Sequence, residues 1–157
     1  MLVASAVLLK AVEVEEDESS ALLGTHIQNC FTKEYLIPLP DQMGVKTSQS
    51  RVGGCWNVFY AQGRLPVIKS FGWPSFYLGV CGGNRVCLKQ KEGKTTDWEF
   101  VLAAWGDGIS GAFISNVNTG MSVYPSDGEQ VLLGNLKDSS YCWRLSWKKV
   151  RIEASFE

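Results

Sequence analysis

Histidine is nearly absent from this chain: His26 is the only one in 157 residues. A nucleophilic triad, a multi-histidine zinc site and an imidazole proton relay would all compete for it, which weakens most enzymatic readings. No Cys-x-x-Cys pair occurs among the five cysteines, so the usual spacings of zinc knuckles and dithiol redox motifs are missing. No glycine-rich loop opens a helix to cradle phosphate; Gly79-Val80-Cys81-Gly82-Gly83 reads as a hairpin turn. No apolar run approaches the ~20 residues of a membrane-spanning helix. One-sided charge is lacking as well. Lys and Arg number 15 against 16 Asp and Glu, a net −1, so nothing points to nucleic acid or anionic lipid as a partner. Metal and cofactor chemistry find no motif either.

What is present is a chain that is 45% hydrophobic and 20% charged, the balance of one globular domain with a real core. Residues 1–21 read as an acidic leader, because Glu13 and the run Glu15-Glu16-Asp17-Glu18 crowd its second half. The mainly apolar stretch Leu2–Leu9 has no basic residue before it and Lys10 with the acids just after, the wrong flanks for a signal peptide. The expected location is therefore the cytoplasm, or release without a clear signal peptide. The leader segment Val12–Glu15 and the tail, residues 151–157 with Val150, alternate apolar and polar residues like strands. They are expected to pair as a ribbon or to join two protomers in a homodimer. Cys30, Cys55, Cys81, Cys87 and Cys142 are read as small buried or half-buried thiols of a reducing compartment. A bridge from Cys81 to Cys87 across the Gly82-Gly83-Asn84 turn is the one geometrically conceivable from spacing.

A repeat is hidden in the tryptophans. Trp56, Trp98 and Trp143 open similar short strands and lie 42 and 45 residues apart. Ile27, Ile68 and Ile114 precede them by 29, 30 and 29 residues, each followed by a polar pair containing Asn or Ser. A second apolar strand follows each isoleucine, at Tyr35-Leu36-Ile37, Tyr77-Leu78-Gly79 and Ser122-Val123-Tyr124, and a third at Val45, at Val86 and Leu88, and at Val131 to Leu133. Glycine-bearing turns separate them, as hairpins require. Each unit is four short strands, and three units give twelve, an all-β chain that must close on itself to hide its edges.

Twelve strands in three four-stranded repeats, with an Ile-x-Asn-like opening and a tryptophan on each fourth strand, resemble the β-trefoil superfamily over residues 22–150. The resemblance implies pseudo-threefold symmetry, with Ile27, Ile68 and Ile114, then Leu36, Leu78 and Val123, then Trp56, Trp98 and Trp143, as successive core layers. The ricin-B-like lectins are the most similar group, but their Gln-x-Trp mark is missing three times: Gly54, Thr96 and Tyr141 stand two residues before the tryptophans.

The resemblance implies a small soluble carbohydrate-binding protein without catalytic function, its partners glycans or glycoproteins. Sugar recognition needs polar groups for hydroxyls and an aromatic face for the C–H side of the ring. The third repeat is densest in these, and Trp105, Asp107, Asn118, Tyr124 and Asp127 are expected to serve, Trp105 with Asp107 and Tyr124 with Asp127 bordering one shallow pocket. Trp73, beside Pro74 in an aromatic-rich turn, is a second platform. The alternative is a protein-binding trefoil, a protease inhibitor or cytoskeletal bundler, its bait a protruding loop such as Pro38–Gln42 or the Trp73 turn. A targeting module of a larger toxin-like chain is the remaining option. Catalysis is not expected: His26 is read as standing away from any nucleophile, and Asp107, Asp127, Glu129 and Asp138 give no spacing sign of convergence.

Overall fold

The computed structural model describes residues 2–4, 20–60, 65–105, 108, 110–126, 130–146 and 149–151. These are all-β, with short 3-10 turns and no α-helix among the described residues. After β1 (Leu2–Ala4) come β2 (Ser20–Asn29), β3 (Tyr35–Leu39), β4 (Gly44–Ser48) and β5 (Cys55–Tyr60). The next four are β6 (Val67–Ser70), β7 (Tyr77–Cys81), β8 (Arg85–Lys89) and β9 (Trp98–Ala104). Then follow β10 (Ser110–Asn116), β11 (Ser122–Pro125), β12 (Val131–Gly134), β13 (Trp143–Ser146) and β14 (Lys149–Arg151).

The register repeats. The first strand of each group meets the second one residue after its isoleucine: Gln28 opposite Tyr35, Lys69 opposite Tyr77, Ser115 opposite Ser122. Each tryptophan of a fourth strand faces the residue ending the next first strand: Trp56 opposite Ser70, Trp98 opposite Asn116, and Trp143 back to Asn29. That last pairing, β13 on β2, closes the chain on itself and leaves fewer edges to template aggregation. The hairpins β3–β4, β7–β8 and β11–β12 touch one another through Gly44 opposite Cys87, Leu132 opposite Arg85 and a bridge from Lys46 to Gln130.

Alternation fills the centre. In β5 every second side chain, Trp56, Val58 and Tyr60, is buried, as a half-buried strand dictates. All nine side chains of the expected core layers are fully buried. Each indole also solves its own polar problem, since a buried N–H must find an acceptor. Trp56 donates to the Leu36 carbonyl, Trp98 to Leu78 and Trp143 to Val123, all at 2.9 Å and all twenty residues back. One bulge breaks the pattern: the β2–β5 register shifts between Leu22 and Thr25 around Gly24, at φ +63°, whose N–H donates to Asn57 Oδ1 at 2.9 Å.

The cysteines differ from the expectation of free thiols. Cys30 is bridged to Cys142 and Cys81 to Cys87, with Cα separations of 5.3 and 5.9 Å, while Cys55 is free. The Cys81–Cys87 link is the cross-hairpin bridge that spacing allowed. The other was invisible in sequence, because Cys30 and Cys142 lie 112 residues apart and meet only where β13 closes onto β2. At the ends, β1 adds to β9 and β14 pairs with Ser20–Leu22 of β2. The leader segment Val12–Glu15 lies outside the described residues.

Candidate functional site

The turn after β6 is a built frame. Ser70 Oγ accepts the Trp73 N–H at 3.1 Å, Phe76 N–H donates to the Trp73 carbonyl at 2.9 Å, and Ser70 N–H donates to the Phe76 carbonyl at 3.0 Å. Pro74 biases Trp73 to extended backbone. The frame leaves Phe71 54% and Trp73 44% exposed, whereas Trp56, Trp98 and Trp143 are fully buried and Trp105 is half-buried. Trp73 is therefore the exposed indole among the described residues. Beside this turn the outer face of β5–β7 carries Lys69 between the rings of Phe59 and Tyr77, at 5.7 and 5.1 Å from their centroids.

In the third repeat the structure gathers the aromatics and separates the amide. Trp105 meets Phe113 edge-on at 5.4 Å, Tyr124 lies against Tyr141 at 4.9 Å, and all four belong to one small apolar cluster. The Trp105 Nε1 is buried without a partner among the described residues. Asn118 lies in the turn at the opposite end of β10, about 20 Å along a seven-residue strand. Asp107 and Asp127 lie outside the described residues. Asn116 is structural: its Nδ2 donates to the Lys94 and Asp97 carbonyls and its Oδ1 accepts from Thr119 N–H. Asn29 does the same work in the first repeat.

The places where a Gln-x-Trp glutamine would stand are taken. A Cβ on Gly54 would come 2.5 Å from Ile37 Cδ1. Thr96 is fully buried with its hydroxyl donating to the Gly93 carbonyl, and Tyr141 is buried in the aromatic cluster. In the Pro38–Gln42 segment Pro38 is buried, and Pro40–Gln42 forms a 3-10 turn closed by the Met43 N–H on the Pro40 carbonyl, with Asp41 and Gln42 exposed.

Sequence reasoning missed two concave sites. Where the three hairpins meet, Lys46, Arg85, Gln42 and Gln130 rim a cavity of about 370 Å³ that also meets Val45, Val86 and Val131. The second, of about 290 Å³, is lined by His26, Gln28, Tyr35, Arg51, Arg144, Leu145 and Ser146. His26 is not remote from a nucleophile, as the sequence implied: its Nε2 is 3.4 Å from Cys55 Sγ and its Nδ1 3.4 Å from Ser146 Oγ. A hydroxyl occupies the place where a catalytic dyad would have an orienting carboxylate. Burial, and then the Arg51 charge, hold the His26 pKa below its usual 6.5. The signal was unreadable because His26 and Ser146 are 120 residues apart and meet through the β2–β13 register.

No protein-family model and no curated protein sequence matches the chain. Solved structures do. The chain is similar to SeviL bound to asialo-GM1 saccharide over 78% of its own length and 96% of that chain, with a TM-score of 0.63 and 16% identity. It is similar to the GlcNAcα1-4Gal-releasing endo-β-galactosidase of Clostridium perfringens over 85% of its length but only 33% of the enzyme, with a TM-score of 0.63 and 16% identity. Cry35Ab1 is covered to 38% by 89% of this chain, with a TM-score of 0.62 and 12% identity. The chain thus spans about a third of the galactosidase and nearly all of SeviL. At these identities the likeness shows the fold alone, an all-β architecture held in common with these chains.

Proposed function

We propose that this protein is a non-catalytic carbohydrate-binding β-trefoil, its twelve strands β2–β13 arranged as three repeats about a pseudo-threefold axis, with glycans or glycoproteins as partners. The observation that carries the reading is the open indole of Trp73 beside the exposed Phe71, on a hydrogen-bonded turn that fixes its position. An aromatic face held ready loses little freedom when a sugar ring settles on it. Support comes from the shared fold with a chain solved with a saccharide bound. Trp105 and Tyr124, with Asp107 and Asp127, form the second proposed site; its aromatic half is gathered in one cluster.

A glycan array competed by free sugar tests the proposal. Binding that Trp73→Ala weakens at least tenfold, with an unchanged unfolding midpoint, supports it. Silence across a broad array, or inhibition of a serine or cysteine protease by the same Trp73 turn, overturns it in favour of a protein-binding module.

A further inference from the structure

We propose that the cavity between β2, β3 and β13 binds an acidic sugar, its carboxylate or sulfate held by Arg51 and Arg144, and that protonation of His26 tightens the grip. The inference rests on the carbohydrate reading and narrows it to a ligand class.

The charge pattern points there first. Arg51 and Arg144 line the cavity together with His26, and no acidic side chain lines it among the described residues. A guanidinium presents a planar fork of N–H donors that engages two oxygens of a carboxylate or a sulfate at once and holds them with charge-assisted bonds. Both arginines are anchored from behind. Arg144 Nε donates to the Ser110 carbonyl at 3.1 Å, which leaves its terminal nitrogens for a ligand. The Arg51 carbonyl accepts the Gly54 N–H at 2.9 Å, which fixes the turn that carries it. Tyr35 supplies an aromatic wall, and Gln28 and Ser146 are polar groups suited to hydroxyls. A volume of about 290 Å³ suits one sugar ring rather than a peptide or a nucleic-acid strand.

His26 turns this into a pH-sensitive site. The groups facing it are Gln28 from its own strand, Tyr35 at 5.9 Å between ring centroids, Arg51 from the β4–β5 turn, Cys55 from β5, and Ser146 with Arg144 from β13. None of them is a carboxylate. Burial, and then the Arg51 charge, discourage an imidazolium until an anion arrives. By linkage, the anion raises the His26 pKa and acid strengthens anion binding by the same coupling.

The single histidine gives an unambiguous NMR probe. Glucuronic acid and galactose-6-sulfate, with glucose and galactose as neutral partners, are titrated at pH 5 and 7.5 while the His26 ring signals are followed. The acidic sugars are expected to move those signals, raise the His26 pKa and bind at least tenfold tighter at pH 5, with neutral sugars leaving His26 unmoved. Arg51→Gln and Arg144→Gln, both at exposed positions, are expected to cost tenfold or more at an unchanged unfolding midpoint, and His26→Gln to flatten the pH dependence. Equal response to neutral sugars, or inorganic sulfate binding as tightly as galactose-6-sulfate, overturns the proposal. Neutral-sugar binding that Trp73→Ala abolishes while acidic sugars leave His26 silent overturns it too, yet leaves the carbohydrate function standing. An acidic-sugar response at His26 that survives Trp73→Ala supports it even where the Trp73 site proves silent.

Discussion

The two disulfides are expected to contribute very unequally to stability. A bridge acts mainly by removing conformations from the unfolded chain, and the effect grows with the loop it closes. Cys30 and Cys142 enclose almost the whole repeat region, 112 residues apart, whereas Cys81 and Cys87 are separated by 6. The loop-entropy relation gives about 4.8 kcal/mol for the first and about 2.2 kcal/mol for the second. With a urea slope of about 2 kcal/mol per molar, the paired substitution Cys30→Ala/Cys142→Ala should lower the midpoint by about 2.4 M. Cys81→Ala/Cys87→Ala should lower it by about 1.1 M. Alanine is the right replacement because Cys30 and Cys142 are buried, where a serine hydroxyl would add its own desolvation cost. The geometry supplies an independent check. A Cβ on Gly111 would come 2.5 Å from Cys142 Sγ, 2.6 Å from the Trp143 carbonyl oxygen and 2.8 Å from Cys30 Sγ, so Gly111→Ala should destabilise the protein if the bridge packs this closely on β10. The reasoning is refuted if the short-loop pair costs as much as the long-loop pair, or if alkylation of the native, unreduced protein labels Cys30 or Cys142 alongside Cys55.

The core was legible because one constraint wrote it three times. Ile27, Leu36 and Trp56 and their counterparts keep their spacing because each indole must reach a particular carbonyl, so packing and hydrogen bonding select the same residues. Asn116 shows a similar economy: ending a strand before a turn, its carboxamide answers one local N–H, of Thr119, and two carbonyls from the turn before β9, Lys94 and Asp97. Concave sites obey no such period. The His26 cavity draws on β2, β3, the β4–β5 turn and β13, and only closure of the sheet brings these together. The hairpin cavity likewise takes Lys46, Arg85 and Gln130 from three different repeats. The 30–142 disulfide was lost on the same ground, since spacing along the chain reports local bridges and says nothing of two strands that meet after a full circuit. Trp73 is the intermediate case: its neighbour Pro74 marked it as a turn residue, and a turn residue off the strand period has no obligation to the core.

Further outcomes are expected at the core tryptophans, at the third repeat and at His26. Trp98→Phe keeps most of the buried ring but strands the Leu78 carbonyl, a loss of about 1–3 kcal/mol by urea unfolding; Trp143→Ala should cost about 3–5 kcal/mol as a core truncation, and a loss below 1 kcal/mol for either would contradict their burial. If the third repeat holds a sugar site, Asp107→Ala or Asp127→Ala should weaken glycan binding roughly tenfold with no change in midpoint; parental affinity in both variants assigns binding to Trp73 instead. The last concerns acid. Burial and Arg51 hold the folded His26 pKa below the 6.5 of an ordinary imidazole, so between the two values the unfolded chain binds more protons than the folded one. Stability from this group is therefore complete above pH 6.5 and is lost as pH falls through the folded value. Urea midpoints of the parent and His26→Gln, compared from pH 7.5 to 4.5, should diverge with the parent falling faster, since carboxylate titration is common to both. Parallel curves would show that the His26 environment does not penalise its charge, and would remove the basis for a pH-dependent grip at that cavity.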